Sequence, residues 1–128
     1  MGKLLLTFFL LGASLIGCQD KKQYESTYPE ELIGAWIHSH EDDTQEVKVY
    51  RPASYDFPPS RGREGFNLME GGECIYYGIA PADGSTNEPA SWSWADGSML
   101  TIKRKAEGAP EMVMEVVSVG EDMLKVKK

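Results

Sequence analysis

Two histidines sit two residues apart in His38-Ser39-His40, and three carboxylates follow at Glu41, Asp42 and Asp43. If this segment is a strand, a period of two puts both imidazoles on one face, the face of Trp36. Two imidazoles beside carboxylates make a mixed nitrogen and oxygen donor set that suits zinc or copper. A polar strand end running into an acidic turn accounts for the same residues. A second cluster lies in Arg51-Pro-Ala-Ser-Tyr-Asp-Phe-Pro-Pro-Ser-Arg-Gly-Arg63. Its prolines forbid a strand interior. At about a dozen residues it is a long connection, and long ordered loops are often functional. Arg61 and Arg63 can clamp a carboxylate or phosphate bidentately, and Tyr55 and Phe57 can cover a barrel mouth. The competing account is structural. In it the loop closes one barrel end, Phe57 packs inward, and the arginines pair with surface acids.

Other chemistry is sparse. There is no Gly-x-Ser-x-Gly and no phosphate loop. Neither histidine has a nucleophile beside it. The acid pairs Glu30-Glu31 and Asp42-Asp43 are adjacent in sequence, so their members do not face each other across a site, and they read as solvated surface. The expectation is a protein that is not an enzyme and carries no cofactor. Trp92 and Trp94 share a strand face and offer a stacking platform, but same-face tryptophans also serve as core, each burying 150–250 Å². Met112 and Met114 read as core filler. Cys74, in Glu-Cys-Ile-Tyr-Tyr, reads as a small buried apolar residue with no His or Arg nearby to make it reactive.

The other cysteine, Cys18, closes an N-terminal segment of distinct design. Lys3 is basic, Leu4 to Leu11 is apolar apart from Thr7, and Leu15-Ile16-Gly17-Cys18 ends the run with small residues. That is a secretory signal, too short to span a membrane, which takes about 20 apolar residues. Leu-Ile-Gly-Cys closely resembles the lipobox of bacterial lipoproteins. The resemblance implies cleavage before Cys18, lipid on the new N-terminal cysteine, and attachment to a membrane of the bacterial cell envelope, at the periplasmic face or the cell surface. One acyl chain holds only marginally; the two or three usual in such lipoproteins imply stable anchoring. Residues 1–17 are then the signal peptide and 18–30 a lipidated cysteine with a polar tether. The domain is 31–128.

Loss of residues 1–17 from the 128 leaves 111, a common size for one domain. It also removes Lys3, leaving 12 Lys+Arg against 20 Asp+Glu and a formal net charge of −8. Such a chain is a poor partner for nucleic acid, whose phosphates call for a basic patch. It has no electrostatic attraction to anionic lipid either, so the lipid anchor itself must hold the membrane.

The apolar pattern from Glu31 onward has a period of two, with helix expected only as a turn near Pro29 to Leu32. The strand candidates are Ile33–His38, Gln45–Arg51, Glu64–Met69, Glu73–Ile79, Ala90–Ala95, Met99–Lys105, Glu111–Val119 and Met123–Lys127. Gly71-Gly72, Asp83-Gly84-Ser85, Asp96-Gly97-Ser98 and Gly120-Glu121-Asp122 supply turns. Alternation sets Val47 and Val49 against Glu46, Lys48 and Tyr50, and sets Leu100, Ile102 and Arg104 against Thr101, Lys103 and Lys105. One apolar face per strand marks an antiparallel sheet with a single buried side. About eight such strands make an all-β meander, and closing it into a small up-and-down barrel removes the exposed edges.

The opening Leu32-Ile33-Gly34-Ala35-Trp36 carries Gly-x-Trp; Trp92-Ser-Trp94 and a final meander follow. Over residues 31–128 this looks like the small bacterial lipocalin-like proteins of the calycin group. The resemblance implies a barrel plugged at one end by Trp36, with a basic residue of a late strand packed on that indole. Lys125 or Lys127 are the candidates. It also implies carriage of a small apolar or amphipathic ligand at the mouth, near Trp36, His38, Tyr55, Phe57, Arg61 and Arg63. An eight-stranded barrel either fills with side chains or holds one small ligand. Trp36, Trp92, Trp94, Phe66, Met112 and Met114 are large enough to fill it. The alternatives are therefore an interaction or inhibitor module with a dry barrel that shows its loop to a protein partner, and a metal-binding envelope protein using His38 and His40.

Overall fold

The computed structural model describes residues 28–80 and 84–128. The expected signal peptide, the expected lipidation site Cys18 and most of the expected tether lie outside those residues. The described chain is all β apart from single 3₁₀ turns at Glu30–Leu32 and His40–Asp42 and a glycine turn at Glu70–Gly72. Eight strands form a closed antiparallel barrel: β1 Gly34–His38, β2 Val47–Pro52, β3 Gly65–Leu68, β4 Glu73–Ile79, β5 Ser85–Ala95, β6 Met99–Arg104, β7 Met112–Val119 and β8 Leu124–Lys127. The expected alternation and turn chemistry produce this. Gly71, Gly72, Gly97 and Ser98 all take positive φ in connections where the sequence predicts turns.

From β3 to β8 the strands are neighbours in chain order. The first two strands depart from that order, because β1 lies between β2 and β3 while β2 pairs with β8. Both β2 and β3 run antiparallel to β1, so they point the same way. The segment between them, 53–64, must return from one barrel end to the other. It starts where Ala53 N–H donates to Ala35 O at 3.0 Å. It ends where Arg63 Nη1 donates to His38 O at 3.1 Å. This crossover is why the connection is long.

One strand is longer than its sequence pattern. Residues 85–89 extend β5 before the expected start at Ala90, paired only with β4. Pro89 fits because β6 pairs with β5 no further than Ala90↔Arg104, so no ladder donor is needed from it on that side.

The interior is filled. Leu32, Phe66, Leu68, Leu100, Ile102 and Leu124 have no exposed surface, and Trp36 and Trp92 are buried among them. Trp36 Nε1 donates to Leu32 O at 2.9 Å, which plugs the end where the chain enters. Lys125 and Lys127 do not pack on Trp36. They pair with Val49 and Val47 on the outer face, and Lys127 reaches Glu115. β2 also reverses the simplest reading of its alternation: Tyr50 is in the core, with Lys48 on the same face. Val49 is buried on the outside, under the β1–β2 connection. There Ser39 N–H donates to its carbonyl at 2.8 Å and its own N–H donates to Asp43 Oδ1 at 2.8 Å.

Candidate functional site

Side chains that face into the barrel change character along its axis. Near the entry end they are Leu32, Trp36, Leu68 and Trp92. At the opposite end the same alternation presents His38, Lys48, Glu88 and Arg104, with Glu64 two residues before Phe66. Arg104 Nε donates to Glu88 Oε2 at 2.8 Å and its guanidinium stacks 4.6 Å from the Tyr76 ring centroid. Lys48 Nζ lies 5.5 Å from the Tyr50 ring centroid, and the His38 ring 5.4 Å from it. Burial raises both phenols above their ordinary pKa, and the Glu64 carboxylate nearby raises them further. The barrel is thus dry at one end and polar at the other.

Over this polar end lies a cleft of about 340 Å³, lined by His38, His40, Lys48, Arg61, Arg63, Glu64 and Ile79, with Ser60 just before the arginines and Gly62 between them. Its floor is the β1–β2 end of the barrel. One wall is the last part of the 53–64 crossover, and Ile79 at the end of β4 forms another. Ile79 is half exposed.

The acidic turn is ordered by hydrogen bonds and is not free solvated surface. Ser39 Oγ donates to Asp42 Oδ2 at 2.7 Å, and Arg51 Nε donates to the same oxygen at 2.9 Å. These bonds hold the Asp42 carboxyl below its ordinary pKa. Asp43 Oδ2 lies 2.9 Å from His38 Nε2. Burial works against the Asp43 carboxylate, but the Val49 N–H and His38 bonds lower its pKa overall. An ionised carboxylate only accepts, so the His38 proton sits on Nε2. Burial lowers the His38 pKa below 6.5, and Lys48 and His40 add to the effect against the pull of Asp43. At pH 7 His38 is therefore a neutral imidazole.

Arg63 is a latch. It donates to both Glu41 oxygens, at 2.9 and 2.5 Å, to His38 O at 3.1 Å and to Pro58 O at 2.9 Å. Its guanidinium also stacks 4.8 Å from Phe57. The Arg63 bonds hold the Glu41 carboxyl down to about 2. Tyr55 stacks on Phe57 at 4.9 Å and on Arg51 at 4.6 Å. The loop's aromatics and two of its arginines are therefore engaged with one another. Arg61 and Lys48 have no ion-pair partner among the described residues.

The structure brings His38, His40, Arg61 and Arg63 together at the cleft. Tyr55 lies elsewhere, in a separate hollow of about 440 Å³ with Arg51, Asp56 and Asp122. Trp36 is sealed in the core at 3% exposure, beyond the reach of a ligand at the mouth. Phe57 stays with the loop. The two imidazole centroids are 6.2 Å apart, with Glu41 and Arg63 both beside His40. Among the described residues no three His, Cys, Asp or Glu side chains gather as a metal would require. Cys74 is buried and its thiol is pushed up to about 11, which leaves it unreactive. Trp92 is core, with Nε1 donating to Met69 O at 2.8 Å, and Trp94 packs against that core.

Sequence reasoning singled out neither Lys48, Glu64 nor Ile79 as site residues. Alternation does put Lys48 beside Tyr50. Its signal was masked by Val47 and Val49, which look like the inward face. No protein-family model, curated protein or solved structure matches the chain.

Proposed function

We propose that this is a lipid-anchored protein of the bacterial envelope whose barrel is a rigid stand and whose mouth cleft takes a small amphipathic ligand. The observation that carries the reading is the 340 Å³ cleft, which sets charged side chains opposite the apolar Ile79. Its volume lies within the range of small-molecule sites, about 300–1,000 Å³. The filled interior moves the expected ligand from the barrel lumen to its rim. The lipobox-like Leu15-Ile16-Gly17-Cys18 supports the anchor. The tether would join the barrel through Glu30–Leu32, at the end opposite the cleft. An anchored molecule can therefore hold its closed end toward the bilayer and its cleft away from it.

A second reading, a dry barrel that presents loops to a protein partner, is favoured by that same filled interior. Against it, the aromatics such a surface would use are already stacked on Arg51 and Arg63.

The test uses the lipidated chain in lipid nanodiscs, titrated calorimetrically with a panel of small aromatic acids, alcohols and amines against empty nanodiscs. Saturable one-to-one binding of any member supports the reading. No binding across the panel overturns it. For the anchor, Cys18→Ser moves the protein out of the membrane fraction if the cysteine carries lipid; unchanged fractionation refutes it.

A further inference from the structure

We infer that the recognised end of the ligand is an anion, held by Lys48 and Arg61. This inference rests on the mouth-cleft reading and names the ligand's chemistry. The domain is strongly acidic, yet five basic side chains line this one hollow beside a single carboxylate, Glu64. Three of the five are committed. Arg63 is neutralised by Glu41 and tied to two backbone carbonyls. His38 is neutral and bonded to Asp43. His40 lies 3.3 Å from Glu41.

Lys48 and Arg61 remain. Among the described residues these two cations have no carboxylate within ion-pair distance, as is also true of Lys103, Lys105, Lys125 and Lys128 elsewhere on the barrel. What distinguishes these two is that both line the cleft. Lys48 is on the inward face of β2, paired with the core residue Val126, and its ammonium lies near the Tyr50 ring at the rim. Its stem thus runs over apolar surface while its charge meets the cleft. Arg61 sits two residues before the latch formed by Arg63, which fixes the backbone it hangs from.

A carboxylate or phosphate entering here finds a point charge on one side and a planar fork on the other. Ile79 offers an apolar wall for the rest of a small molecule, and the volume suits a single fused ring. Glu64 adds selectivity. It repels anions of high charge and favours a ligand with one negative group. The site therefore fits a small organic monoanion.

The test holds shape constant and changes the head group. The lipidated chain in nanodiscs is titrated with 2-naphthoate, 2-naphthamide and 2-naphthylmethylamine. The expected result is saturable binding of the naphthoate, binding of the amide weaker by about tenfold or more, and no saturable binding of the amine. Lys48→Met and Arg61→Met each weaken the naphthoate by about tenfold, while Glu64→Gln strengthens it. Opposite signs from neighbouring substitutions are not produced by a general loss of structure. Unchanged thermal melting of Lys48→Gln, read beside its affinity, separates folding from binding. Equal affinity for the three compounds overturns the anion and leaves the mouth-ligand reading standing. Binding of none of them, or affinities that the three variants do not change, overturns the anion as well; only in the first case, with the wider panel also silent, does the mouth-ligand reading fall with it.

Discussion

Arg63 and Glu41 are joined by two N–H···O bonds, of 2.9 and 2.5 Å, across the gap between the end of the β2–β3 crossover and the β1–β2 turn. The same guanidinium donates to the carbonyls of His38 and Pro58. One side chain therefore fastens the end of the crossover to the His38–Glu41 stretch, 22 to 25 residues away in sequence, and both stretches line or flank the cleft. Replacing Arg63 with Met removes these bonds. Each bond to a backbone carbonyl contributes about 1 kcal/mol. Each such loss lowers the melting temperature of a domain this size by roughly 4–8 °C. Arg63→Lys recovers only part of this, because a single ammonium cannot satisfy a forked set of acceptors. Thermal denaturation followed by circular dichroism checks the order wild type, Lys, Met.

Acidification loosens the same latch. The Glu41 carboxyl is held down to about 2, with the Arg63 bonds as the largest cause, against an ordinary value of 4.5. A lowered folded pKa means that its contribution is complete above 4.5 and is lost as the pH falls from there toward 2. His38 adds an earlier phase. Its folded pKa is below 6.5 because burial disfavours the charged ring. The unfolded chain therefore takes up that proton first, and stability begins to decline as the pH drops below 6.5. Carboxyl and imidazole NMR titrations read both groups. A Glu41 midpoint near 4.5 contradicts the latch.

Gly65 is required by close approach. A Cβ there would sit 2.3 Å from the Trp36 carbonyl oxygen and 2.8 Å from Ile37 Cδ1. The β1–β3 ladder that closes the barrel has no room for it. Gly65→Ala therefore costs about 1–3 kcal/mol or more. Gly78→Ala is the contrast, since its new Cβ meets chiefly the Thr86 hydroxyl, which can rotate away. Urea unfolding of the two variants should separate them clearly, with Gly78→Ala close to wild type.

Trp36→Phe keeps a ring in the plug but leaves Leu32 O without its 2.9 Å donor in a buried setting. The orphaned carbonyl costs about 1–3 kcal/mol, and the lost volume adds to that. A urea midpoint unchanged from wild type would remove the indole hydrogen bond from the account of the closed end.

The sequence was most readable where one periodicity rules. Glu73–Ile79 has the bounds that its alternation predicts, and the final three strands differ from theirs by a single residue at one end. Faces were readable on β6, where Leu100, Ile102 and Arg104 share the interior side. They were misleading on β2. Val49 is as apolar as a core residue, but the β1–β2 turn covers it from outside, and that cover comes from Ser39 and Asp43 through tertiary hydrogen bonds. Strand order was hidden for a related reason. Adjacent strands usually pair in sequence, and only the unusual length of the segment after Pro52 signalled a crossover. The candidate site was half visible. Arg61 and Arg63 carry an obvious chemistry, but which of them is consumed depends on where Glu41 arrives. Lys48, Glu64 and Ile79 come together only because the closed sheet brings β2, β3 and β4 to one rim.

The most direct measurement is an amide chemical-shift titration of the isotope-labelled lipidated chain with 2-naphthoate. Saturable shifts centred on Lys48, Arg61, Gly62, Glu64 and Ile79 are the predicted result. Shifts centred on Tyr55 and Asp122 at the other hollow, or none at any residue, would contradict a ligand site at the rim.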